Sequence, residues 1–181
     1  KDAVAAYRDA LREYKRETTP RQWALAQAGL GSALHWLSMS EADPKTLADS
    51  TAARRAALEV LTLEAAPVDW ANAQNGIGMS LLNLGTLERT GKYLDEAEAA
   101  FQATLKVFTL ESQPLQWAFA QNNLGDVQWN RASFGGGKAD YRKAIEFFEN
   151  AKQGFAEAGN TMPIPLTDKK IELVKQQLAK K

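Results

Sequence analysis

Apolar, small and amide positions recur three and four residues apart along most of this chain, the spacing of one face of a helix. Trp70, Gln74, Ile77, Gly78, Leu81, Leu84 and Gly85 form one such run and predict a helix over about 67–88. Pro67 suits its first turn, where a missing N–H costs nothing. Thr90-Gly91-Lys92 breaks the pattern, and Leu94, Ala97, Ala100, Phe101, Leu105 and Phe108 then predict a second helix over about 93–111. We label the two helices of such a pair A and B.

The pair is written three times. The phrases Pro20-Arg-Gln-Trp23-Ala-Leu-Ala-Gln27, Pro67-Val-Asp-Trp70-Ala-Asn-Ala-Gln74 and Pro114-Leu-Gln-Trp117-Ala-Phe-Ala-Gln121 stand 47 residues apart. The same step aligns Leu30, Ile77 and Leu124, then Gly31, Gly78 and Gly125, then Glu17, Glu64 and Glu111. It also aligns Tyr7, Arg54, Phe101 and Phe148, with Arg54 the odd member, and the small residues Ala3, Ser50, Ala97 and Ala144. Helix A is therefore predicted at 20–39, 67–88 and 115–133, and helix B at 46–63, 93–111 and 138–157. A lone helix B is expected at 2–16. A final helix is expected near 167–180, with Thr167 as N-cap and Asp168 in its first turn. The total is eight helices, an all-α chain. Self-similarity at a fixed period of this size marks a stacked-repeat architecture, which works by presenting a long surface.

Each mid-helix glycine costs roughly 1 kcal/mol against alanine. Close approach of helix B through Ala97 and its equivalents gives a reason to repeat that cost. The three tryptophans are expected to fill the seam between consecutive repeats. Gln27, Gln74 and Gln121 fall on the same inward face, where a buried amide must be hydrogen-bonded.

The Leu/Ile-Gly pair of helix A and the alanine-to-aromatic step of helix B (Ala97 and Phe101, Ala144 and Phe148), with a proline closing the repeat, resemble the tetratricopeptide repeat. The usual period is 34. The run Tyr93-Leu-Asp-Glu-Ala-Glu98 is similar to the longer repeats of kinesin light chains and related bacterial proteins. The resemblance implies a right-handed α-solenoid of antiparallel helix pairs, its A helices lining a concave groove. On this reading residues 1–181 are one domain: a partial repeat at 1–19, repeats at 20–66, 67–113 and 114–160, and a C-terminal capping helix at 161–181. The chain begins inside a repeat and without an initiator Met, so it reads as an excerpt of a longer protein.

On helix A, the face opposite the core holds Asn72, Asn75, Gly76, Met79, Leu82 and Asn83 in the second repeat. The third repeat places Phe119, Asn122, Asn123, Asp126, Trp129 and Asn130 there, and the first Leu25, Ala28, Gly29, Ser32, His35 and Trp36. Six of the chain's eight asparagines lie on this face. An amide offers donors and an acceptor together, so a ladder of amides can hold the backbone of an extended peptide. The family resemblance implies the same role for helix A asparagines, with Asn123 the nearest positional match and Gly29 and Gly76 in its place in the other repeats. Met79, Phe119, Trp36 and Trp129 would take apolar side chains.

Composition narrows the alternatives. Lys+Arg and Asp+Glu are both 22, which argues against a protein built to neutralise nucleic-acid phosphates. The chain has no cysteine and one histidine, His35, which removes thiolate chemistry and leaves little for a zinc site. No apolar run is long enough to cross a bilayer, and a cytoplasmic setting is expected. Gly135-Gly-Gly-Lys138 lacks the spacing and preceding strand of a phosphate loop. The acids Glu88, Asp95, Glu96 and Glu98 surround a helix start and form no paired-carboxylate site. The expected function is thus a non-enzymatic, cofactor-free protein-interaction module that takes a protein or peptide segment in the groove. The alternative is a regulatory or self-assembly segment of a larger protein, whose partner is its own neighbouring domain or a second copy.

Overall fold

The computed structural model describes residues 1–181 and contains eight helices and no strand. They are α1 (Asp2–Glu13), α2 (Pro20–Glu41), α3 (Pro44–Leu58), α4 (Pro67–Leu87), α5 (Leu94–Thr104), α6 (Pro114–Ser133), α7 (Lys138–Glu157) and α8 (Ile164–Ala179). Each helix packs chiefly on the helices before and after it in the chain, and α2, α4 and α6 also touch in sequence. No helix is long and apolar enough to cross a membrane.

The 47-residue step is visible in the backbone bonds that start each A helix. The N–H groups of Trp23, Trp70 and Trp117 donate to the carbonyls of Thr19, Ala66 and Gln113, the residues before each proline. Those three residues in turn donate to Lys15, Thr62 and Thr109. The proline itself sits in the first turn of α2, α4 and α6.

Two B helices are shorter than their apolar spacing predicts. In α3 and α5 the last carbonyls accept from residues three ahead: Ala57 from Val60 and Thr104 from Val107. This tightening ends the helix, so the near-identical stretches at 60–64 and 107–111 form the linker to the next repeat. The last helix starts earlier than expected. Pro165 is accommodated in its first turn, and Thr167 is buried inside the helix, donating to the Pro163 carbonyl at 3.0 Å instead of capping it. Asp168 pairs with Lys152 of α7.

The largest core cluster joins Ile77, Leu81 and Leu82 of α4, Leu94, Ala97, Ala100 and Phe101 of α5, and Leu124 and Val127 of α6. Phe101 and Phe148 have no exposed surface, and burying such a ring stabilises by roughly 1.5–3 kcal/mol. The helix A glycines make room for them: a methyl at Gly78 would stand 2.7 Å from the Phe101 ring, and one at Gly125 would stand 2.5 Å from Phe148. The three repeated tryptophans, Trp23, Trp70 and Trp117, are half-buried. Trp23 lies against Ala57 and Leu61 of its own helix B cluster, with the Arg16 guanidinium over its ring at 5.8 Å. Trp117 lies against Gly154 of α7. Gln121 is buried and accepts from Asn150 at 3.5 Å.

Gly135-Gly-Gly137 carries the chain between α6 and α7. Gly135 has φ 114°, and the Gly137 N–H donates to Asp140 at 2.9 Å, which caps α7.

Candidate functional site

The A helices lie side by side, and the bonds between them keep the repeat register to within a few residues. His35 of α2 meets Ser80 of α4 at 3.2 Å. The Asn123 amide of α6 donates to the Asn75 carbonyl of α4 at 3.3 Å, and Thr86 of α4 donates to Asn130 of α6 at 3.3 Å. Lys170 of α8 donates to Asn122 at 3.3 Å and to Asp126 at 2.7 Å, both on α6. The last helix thus occupies the place of a fourth helix A.

Two cavities sit at successive junctions of this row. The α4/α6 cavity, about 170 Å³, is lined by Asn72, Asn75, Met79, Thr104, Phe108, Gln116, Phe119 and Asn123. The α2/α4 cavity, about 150 Å³, includes Leu25, Ala28, Ser32, Leu61, Asp69 and Asn72. Adding 47 to those six numbers gives Asn72, Asn75, Met79, Phe108, Gln116 and Phe119, all in the α4/α6 wall. The repeat therefore builds the same hollow twice, with Asn72 shared.

Five of the expected site residues, Asn72, Asn75, Met79, Phe119 and Asn123, meet in the α4/α6 cavity. Asn75 contacts Met79 Sδ through its amide at 3.6 Å, and Phe119 stands edge-on to Phe155 with centroids 5.1 Å apart. No ionisable side chain lines this cavity.

Four others are tied up by the structure itself. Asn122 and Asp126 hold Lys170, and the Trp129 indole donates to Gln177 of α8 at 2.7 Å while packing edge-on to Phe148. Asn130 donates to the Asp126 carbonyl at 2.9 Å and accepts from Thr86. Burial pushes the Asp126 carboxyl upward, and the Lys170 charge opposes that shift. Trp36 and Asn83 lie toward the far end of the row. Trp36 is 68% exposed, and Asn83 lines a separate hollow of about 240 Å³ with Met39, Thr86 and Leu87.

The sequence-based face was drawn too wide. His35, Gly76 and Leu82 are buried, because their positions face the adjoining helix instead of the open side. His35 is 3% exposed, and burial, with a smaller push from Arg54, lowers its pKa from 6.5 to about 4, so the ring is neutral.

The spacing argument also missed a buried polar cluster around Arg54. Its guanidinium donates to the Gly31 carbonyl at 2.8 Å, to Ser32 at 3.3 Å and to the Ser50 hydroxyl. Ser50 donates to Gly31 O at 2.7 Å and meets Ser80 at 3.0 Å, and Ser80 donates to Gly76 O at 3.0 Å. Burial lowers the Arg54 pKa to about 10. The signal was present: Arg54 breaks an aromatic column, and Gly76 faces it where the next repeat has Asn123.

No family model, curated protein or solved structure matches the chain. The reading of the A-helix row rests on its own geometry.

Proposed function

We propose that this chain is a non-enzymatic interaction module of the tetratricopeptide type that holds an extended peptide segment along the row of A helices. The observation that carries the reading is the recurrence of one hollow at successive junctions in the 47-residue register. Such a row suits a ligand that repeats along its length, as an extended backbone does. In the α4/α6 hollow, Asn72, Gln116 and the Asn75–Asn123 pair supply amide donors and acceptors, while Met79, Phe108 and Phe119 supply apolar wall. Aromatic anchors in such a setting commonly dominate affinity.

The test is selection of binders from a random-peptide library, followed by the combined Asn75→Ala, Phe119→Ala and Asn123→Ala variant. Affinity should fall at least tenfold with the helical circular dichroism signal kept. Undiminished binding to that variant would overturn the reading.

A second reading, self-assembly, is favoured by one patch. Trp36 and Met39 are 68% and 62% exposed beside the hollow that Met39, Asn83 and Leu87 line. A concentration-dependent dimer in analytical ultracentrifugation that Trp36→Ala abolishes would support it. A monomer at all concentrations would remove it.

A further inference from the structure

A hollow of about 300 Å³ lies between α3 and α5, with α4 behind it. From α4 it takes Gln74 and Ile77, and it shares no residue with the two hollows of the A-helix row. Its volume is within the range of small-ligand sites. The 47-residue register shows what stands at this place elsewhere in the chain. Leu58, Gln74 and Ile77 correspond to Leu105, Gln121 and Leu124, so the wall is kept one repeat later. Ala100 and Ala103 correspond to Phe147 and Asn150. Phe147 and Leu105 both pack against the core cluster that contains Leu124, and Asn150 donates to Gln121 at 3.5 Å. The third repeat thus supplies a ring and an amide where the second has two methyl groups. Gln74 is half-buried and has no side-chain partner, whereas Gln121 has one. The rim carries the Arg55–Glu96 ion pair, which links α3 to α5 and cancels its own charge.

We infer that this hollow is a docking site for a phenylalanine residue of a partner chain, its ring entering against Leu58, Ile77 and Ala100 and its backbone amide pairing with Gln74. The inference goes beyond the A-helix row and needs no peptide there. Three features select the occupant. The ring takes the place of Phe147, the amide takes the place of Asn150, and the self-neutralised rim offers no net charge for a charged ligand to meet. A backbone amide carries the same kinds of donor and acceptor as the asparagine amide it stands in for. A free amino acid would bring two charges to this rim, while a residue within a chain brings none, so the ring enters as part of a polypeptide.

The experiment titrates the full, isotopically labelled chain with N-acetyl-phenylalanine N-methylamide, following the Gln74 side-chain amide and the Ala100 and Ala103 methyl resonances. A saturable shift at those groups is expected. N-acetyl-alanine N-methylamide should give none, and free phenylalanine should bind at least several-fold more weakly. The variant Ala100→Phe with Ala103→Asn copies the third repeat into the second. It should keep the helical signal, hold or raise the thermal midpoint, since filling a cavity commonly stabilises, and lose the binding. If that variant fails to fold, Gln74→Leu serves instead: it keeps the wall apolar, removes the amide, and should weaken the probe several-fold. No saturable shift at Gln74, Ala100 or Ala103 would overturn the inference. So would equal affinity for the alanine compound, undiminished binding to the folded variant, or tighter binding of free phenylalanine, which would make the hollow an amino-acid site. Shifts confined to Asn75, Phe119 and Asn123 would place the ring in the A-helix row and also overturn it.

Discussion

Gly78 sits mid-helix in α4, where alanine would favour the helix by about 1 kcal/mol. The Phe101 ring stands where the methyl would go, 2.7 Å away, and is itself fully buried and unable to yield. Overpacking of this kind costs about 1–3 kcal/mol. Gly78→Ala should therefore destabilise in a urea titration, while Gly91→Ala, whose nearest neighbour is 4.0 Å off, should change stability by less than about 0.5 kcal/mol. A stabilised Gly78→Ala would show that α4 and α5 are not this close. His35 gives a second test at the same scale. Its pKa is lowered from 6.5 to about 4, chiefly by burial. The unfolded chain therefore binds the extra proton first, and the stability held above pH 6.5 is lost as the pH falls toward 4. His35→Leu, which copies Leu82 of the next repeat, should flatten that part of the thermal-midpoint profile. An unchanged profile would place the ring in solvent.

Among the elements, α8 shows what the sequence could and could not reveal. Its existence was expected from Thr167 and Asp168, although the helix begins before Thr167; Ile171, Val174 and Leu178 hold it in the cluster formed with Tyr141, Ala144 and Phe148 of α7. Its bonds to α6 were not, because Lys170 looks like any exposed lysine until the 47-residue step sets it opposite Asn122 and Asp126. With Lys170 gone, burial acts on Asp126 unopposed. Lys170→Ala should move the Asp126 titration to higher pH, followed by carboxyl carbon shifts, and a move to lower pH would contradict the pairing. The helix B ends were misjudged for a related reason. Apolar spacing continues through Leu105 and Phe108, yet the backbone has already tightened into turns at Thr104, and Phe108 reaches the core from the linker. Periodicity reports which side chains face inward, whatever the backbone between them does.

Across the whole molecule, the repeat accounts for most of the architecture. Backbone bonds at the helix starts, glycine-to-ring contacts and the two hollows all recur at one step. Half of the candidate site was legible by the same step: Asn72, Asn75, Met79, Phe119 and Asn123 do meet. Asn122, Asp126, Trp129 and Asn130 have partners already, which no pattern of polar positions on one helix can disclose. The central claim is that a peptide lies along the A-helix row. The most direct measurement is a map of backbone and side-chain amide shifts as a selected peptide is titrated into the isotopically labelled chain. The account predicts that the largest changes fall on the side-chain amides of Asn72, Asn75, Gln116 and Asn123 and on the backbone of Ser32. Changes confined to the outer faces of α3, α5 and α7, or to the end that carries Trp36 and Met39, would contradict it.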